Sequence, residues 1–174
     1  MPPRLATGQR GAYKTGMAAP RPLWTCPRCG ARLVTPRMWH SCGQFSLEDL
    51  CARSSPEVLA LARRYVRLLR SLGDVQVLPQ RTRLVCVARV RFAGMTPRSD
   101  HIVVAFALRR RVRSARVARV ESYGPRWQSH QVPVRRPADL DAELAAWLRE
   151  SHDVVGMQAP SPPARGGRAR RERG

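Results

Sequence analysis

A chain of 174 residues with 43% hydrophobic residues is long enough for one ordinary domain with a proper core plus a small appendage. A formal charge of +20 invites a nucleic-acid reading. Met1 to Pro22 lacks the apolar core of a signal peptide and no later run is long enough to span a membrane, so a cytoplasmic protein without a membrane partner is expected.

The charge needs discounting before it is used. Lys14 is the only lysine, and an arginine bias of this kind follows from a GC-rich genome without any help from function. Residues 1–23 and 159–174 carry +4 each; subtracting both from +20 leaves +12 for residues 24–158. The part expected to fold is therefore basic in its own right.

In chain order, residues 1–22 mix Pro, Gly, Ala and Arg without periodicity and read as a disordered basic tail. Met17 is an alternative start, which leaves open whether residues 1–16 are translated. Residues 23–45 then carry the sharpest signal, Cys26-Pro27-Arg28-Cys29-Gly30 followed by Trp39-His40-Ser41-Cys42. A tight turn brings the first two sulfurs to one point, and Gly30 frees the backbone after it. His40 and Cys42, spaced i, i+2, point to one side if the segment is extended. Three thiols and an imidazole with no carboxylate suit zinc, and four protein ligands leave no position for an activated water. A structural Zn2+ held by Cys26, Cys29, His40 and Cys42 is the expectation. The competing readings are unrelated buried thiols or disulfides of an exported protein, and a reducing compartment weighs against the second. Cys86 lies in an apolar run and reads as core, Cys51 as a core or surface thiol.

Residues 46–158 read as an α+β domain. Ser46 opens a short helical turn with Asp49 as the far half of a capping box. Ser54 or Ser55 caps a longer helix with Pro56 in its first turn, an apolar stripe from Val58 to Leu72, and Gly73 as its stop. Arg83 to Phe92 alternates as one strand, with Leu84, Cys86, Ala88, Val90 and Phe92 on one side. Ile102, Val104, Phe106 and Leu108 repeat the pattern; weaker strands cover Arg116 to Tyr123 and His130 to Arg135, and Asp74 to Leu78 adds an edge. Leu140, Leu144, Trp147 and Leu148 make the stripe of a closing helix. The expected architecture is an antiparallel meander with helices packed on one face, preceded by the zinc knuckle. Residues 159–174, rich in Arg and Gly after Pro160-Ser161-Pro162-Pro163, read as a second disordered tail.

These residues, in this order, also resemble a bacterial family named domain of unknown function 5655. The matching pieces are Trp24 to Gly30, Trp39 to Cys42, Ser71-Leu72-Gly73, Val90-Arg91-Phe92-Ala93-Gly94 and Asp139-Leu140-Asp141. The resemblance spans Trp24 to Met157. It implies the fold and the metal ligands and carries over no activity.

Two candidate surfaces remain. Arg81, Arg83, Arg89 and Arg91 share one face of the expected strand, with Arg109 and His101 on the next, which makes a basic sheet surface suited to phosphates. Phe92 and Phe106 fall on the apolar side, so no aromatic platform for bases is expected, and binding should show little sequence preference. Tyr123, Trp127 and His130 cluster around Gly124-Pro125 as the lip of a pocket, and His101 beside Asp100 is a further acid–base pair. No nucleophile elbow, phosphate loop or paired carboxylates accompany them. The expectation is a non-enzymatic nucleic-acid-binding module acting through arginines. The alternatives are a module that docks a protein partner through the zinc segment, and an enzyme using the Tyr123–His130 pocket.

Overall fold

The computed structural model describes residues 22–124 and 126–158. The two tails and Pro125 lie outside them. The fold is α+β: a two-stranded hairpin, then a six-stranded antiparallel sheet with helices on one face. Among the described residues no helix is long and apolar enough to cross a membrane.

The hairpin pairs β1 (Trp24–Thr25) with β2 (Arg32–Leu33) around the first cysteine turn. Helix α1 (Leu47–Cys51) starts at the expected capping box, Ser46 accepting from the Asp49 N–H at 3.0 Å and Asp49 accepting from the Ser46 N–H at 2.8 Å. In α2 (Pro56–Arg70), Pro56 occupies the first turn, where its missing N–H costs nothing. Val58, Leu61, Ala62, Tyr65 and Leu69 bury one stripe, each large side chain contributing roughly 2 kcal/mol. Gly73, at φ +144°, lets the chain turn away after the helix.

The sheet strands are β3 (Gln76–Pro79), β4 (Leu84–Val87), β5 (Arg91–Pro97), β6 (Ile102–Leu108), β7 (Arg119–Ser122) and β8 (Gln128–Val134), ordered β3-β4-β5-β6-β8-β7. The expected meander therefore fails at its end, because β8 inserts between β6 and β7. The connection from Arg109 to Ala118 crosses above β8, and it is pinned on the way. Val112 is buried, and Arg116 binds Asp141 and Glu143 at 2.8 and 3.0 Å while donating to the Asp139 carbonyl at 2.6 Å. That anchors it to α3 (Ala142–Glu150), whose N-cap is Asp141.

Strand register separates the two faces. Ile102 opposes Val134, Val104 opposes Val132, and Phe106 opposes His130. With Met95 and Leu84 in line, these make the face covered by α2 and α3. The other face carries Val85, Gly94, Ala105 and Gln131 in successive strands. Cys86 and Cys51 are both buried in the main core.

The expected strand Arg83–Phe92 is two strands. Val87 pairs with Arg91 across a turn at 88–90, next to a register shift between Cys86 and Val87. Its backbone is satisfied from far along the chain: the N–H groups of Arg89 and Val90 donate to the Gly156 carbonyl at 2.8 and 3.0 Å. Gly156 belongs to a wide π-type turn, Ser151–Gly156, that continues α3. Ser151, fully buried, donates from its hydroxyl toward the carbonyls of Phe92 and Ala107, each 2.8 Å away, joining β5 to β6 near their ends.

Candidate metal centre and open sheet face

Cys26, Cys29, His40 and Cys42 lie close enough to hold a metal ion, with one ligand atom from each within 4.8 Å of the others. The first pair converges through a tight turn: the Cys26 N–H donates to the Ala31 carbonyl at 2.8 Å, and the Gly30 N–H to the Cys26 carbonyl at 2.9 Å. Gly30 sits at φ +71°, which glycine adopts without penalty. The second pair does not converge by extended alternation as the spacing suggested. Cys42 is itself left-handed at φ +52°, and Gly43 follows at +72°. A turn aims its sulfur at the cluster, and Cys26 and Cys42 bring their Sγ atoms to 3.8 Å.

His40 carries the clearest mark of a ligand. Its Nδ1 lies 3.2 Å from the Met38 carbonyl and donates to it, while Nε2 is buried with no hydrogen-bond partner. A backbone carbonyl on one ring nitrogen fixes the tautomer that leaves the other free for a metal. The environment also favours a thiolate. Desolvation works to raise the Cys26 thiol, but the backbone around Arg28 and Cys29 and the side chains of His40 and Cys29 outweigh it, and its pKa falls to about 6. The other two cysteines differ: burial pushes Cys86 up to about 12 and raises Cys51.

The segment is fastened to the edge of the large sheet. The Gln76 side chain accepts from the Arg32 N–H and donates to the Arg32 carbonyl at 3.0 Å, extending the pairing by one side chain. The Ser41 hydroxyl donates to the Pro79 carbonyl at 2.7 Å, and Leu78 packs against Cys26, Ala31 and Leu33. The metal segment thus lies on the sheet face that the helices leave uncovered.

The rest of that face holds most of the remaining candidates. Arg91 stands over Gly94, where a Cβ atom would come within 3.7 Å of its guanidinium nitrogen, and Arg83 lines the same concavity. Burial holds the Arg91 guanidinium below its usual range and the charge of Arg83 adds to this. Neither forms an ion pair with a carboxylate among the described residues. Arg109 stacks on Trp127, its guanidinium carbon 5.3 Å from the ring centroid. Tyr123 is joined to Trp127 by a backbone hydrogen bond of 2.9 Å, and both line a concavity floored by Gly94, Ala105 and Ala107. The basic surface and the aromatic lip, expected as separate places, are one surface. Tyr123 and Trp127 thereby place two aromatic rings beside the arginines.

Four candidates fall elsewhere. His130 is fully buried on the covered face, stacked on Phe106 at 5.4 Å, and its Nε2 accepts from the Val112 N–H at 2.9 Å. It is a core residue, separated from the lip by the sheet itself, because period two puts it on the side of Phe106. Arg81 sits in the bend between β3 and β4, and Arg89 in the 88–90 turn beside the metal segment, so neither lies on a strand. His101 belongs to an exposed cluster with Asp100 and Arg135, at 2.7 Å from Asp100. Trp39, which sequence reasoning used only to frame the metal motif, is 75% exposed on the wall of the metal segment.

No family model, no curated protein and no solved structure matches this chain.

Proposed function

We propose that this protein is a non-enzymatic, zinc-stabilised module that binds nucleic acid, with little sequence selectivity, through the open sheet face. Three thiols and an imidazole without a carboxylate favour zinc over harder ions. A tetrahedral ion with Zn–S bonds of about 2.3 Å separates its sulfurs by about 3.8 Å. The Cys26–Cys42 spacing of 3.8 Å fits that edge. With four protein ligands the ion has no open position, and its role is to fold the segment and seat it on β3.

The observation that carries the nucleic-acid reading is the Arg83–Arg91 pair. Two neighbouring, solvent-exposed guanidiniums, neither ion-paired to a carboxylate among the described residues, sit beside a floor of small residues and two aromatic rings. Phosphate supplies the missing negative charge and releases counterions on binding. Bases supply faces for Tyr123 and Trp127, and such stacking tolerates any base. The resemblance to domain of unknown function 5655 leaves this reading open, and a cytoplasmic location, where the thiols stay reduced, belongs to the same proposal.

The test is fluorescence anisotropy of labelled oligonucleotides with the zinc-loaded full chain across a salt series. Arg83→Glu combined with Arg91→Glu should weaken binding at least 10-fold at moderate salt and flatten the slope by about two phosphate contacts. An unchanged slope removes the sheet face from the function. Docking of a protein partner through the metal segment would then be the reading to pursue.

A further inference from the structure

Two concavities flank the arginine pair on the open face. One, of about 440 Å³, lies between the metal segment and the sheet, with Leu78, Val85 and Val87 on one side and Trp39 and His40 on the other. The second, of about 570 Å³, is the concavity at Tyr123 and Trp127. Arg83, Val90 and Arg91 line both, so the two are ends of one groove with the guanidiniums at its waist. Each end carries one large aromatic held out of the core, Trp39 at 75% exposure and Tyr123 at 65%. An apolar slot, a cationic waist and a second aromatic site repeat the order base, phosphate, base along a strand.

Resting on the nucleic-acid reading above, we infer that this groove takes two successive nucleotides of a single strand. Their shared phosphate sits on Arg83 and Arg91, one base lies against Tyr123 and Trp127, and the next enters the slot beneath Trp39. The chemistry selects single strands, because a base paired and stacked in a duplex cannot turn into a slot of this size. The wall that bears Trp39 is adjacent in sequence to the metal-ligating His40. Metal binding thereby completes half of the groove, which gives the metal segment a part in recognition beyond its own folding.

The discriminating experiment compares Trp39→Ala, Trp39→Phe and the Arg83→Glu/Arg91→Glu pair in the zinc-loaded full chain, against a single-stranded oligonucleotide, its duplex and a mononucleotide. Trp39 is exposed, so its replacement leaves the fold intact, and far-ultraviolet circular dichroism verifies this. Loss of one base stack should weaken single-strand binding about 10-fold in Trp39→Ala with the salt slope unchanged, while Trp39→Phe stays within about 2-fold. The duplex should bind more weakly than the single strand, and the mononucleotide should not compete at micromolar concentration.

If Trp39→Ala binds like the parent while the arginine pair still matters, the two-nucleotide groove is wrong and the charge-based reading survives. Equal affinity for duplex and single strand, or competition by the mononucleotide, overturns the groove in the same way. If neither substitution changes binding, both readings fall together.

Discussion

The two faces of the six-stranded sheet come from the same strands, yet they are built for opposite purposes. The covered face spends its positions on volume: Leu84, Met95, Val104, Phe106 and Val132 bury against α2 and α3. The open face alternates with it in Gly94, Ala105 and Ala107, residues with almost no side chain, under Arg83, Arg91 and two rings. One residue of offset along a strand therefore decides between core and recognition surface. A histidine on the first face becomes a neutral core residue; on the second, Arg83 and Arg91 meet no carboxylate among the described residues, while Arg119 pairs with Glu121 at 2.6 Å.

The largest effect should come from removing the metal. Structural zinc contributes on the order of 10 kcal/mol to folding small zinc units. Chelation or Cys26→Ser should therefore unfold the segment around 24–42 and expose Leu78, Val85 and Val87. Hydrogen exchange should quicken at those amides and stay slow at Ile102 to Leu108 and Val132 to Val134. Equal loss of protection on both faces would show that the covered face cannot stand alone.

Next in size, Gly94→Ala breaks the difference in volume between the faces. Its Cβ would lie 2.7 Å from the Leu84 carbonyl oxygen, a backbone atom with little room to move. A loss of about 3 kcal/mol in urea unfolding is expected. A loss below about 1 kcal/mol would mean that β4 and β5 separate easily there.

His130 sharpens the comparison by pH. Burial lowers its pKa, with the charges of Arg110 and Arg111 adding to it. The unfolded chain then takes up a proton before the folded one does. Stability is full above the unfolded value of about 6.5 and falls as the pH drops below it. His130→Leu should lose about 1–2 kcal/mol at pH 7.5, where the Val112 N–H lacks its acceptor, and show a smaller decline between pH 6.5 and 5. An unaltered pH profile would place the titrating group elsewhere.

Periodicity makes most of the architecture legible in the sequence. Helix α2, strand β6 and the stripe of α3 are strongly patterned, and Cys26, Cys29, His40 and Cys42 announce themselves by spacing. The failures share a cause, which is satisfaction from a distance. Nothing between Arg83 and Phe92 marks a turn, since no Gly or Pro falls there and the Gly156 carbonyl supplies the acceptor. Ser151 looks like the end of a helix, and its hydroxyl works between two strands far away in sequence. Gln76 reads as an ordinary strand residue and is what ties the metal segment to the sheet. The position of β8 inside β7 was equally hidden, because alternation assigns faces and says nothing about neighbours. The open-face floor did leave a trace in Val104-Ala105-Phe106-Ala107-Leu108, where every second residue is small.

The contrast among the cysteines gives the protein a built-in chemical readout. Thiolates react with alkylating reagents and thiols do not, so reactivity follows the pKa. Cys86, pushed up to about 12, and Cys51, raised by burial, should stay silent in the folded chain, whereas Cys26, at about 6 without a metal, is mostly ionised at neutral pH. Because Cys26 is only 3% exposed, alkylation followed by intact-mass measurement should label it ahead of Cys51 and Cys86 once chelation has opened the metal segment. Counting the added masses would follow metal loss in native protein, with no dye, tag or engineered reporter.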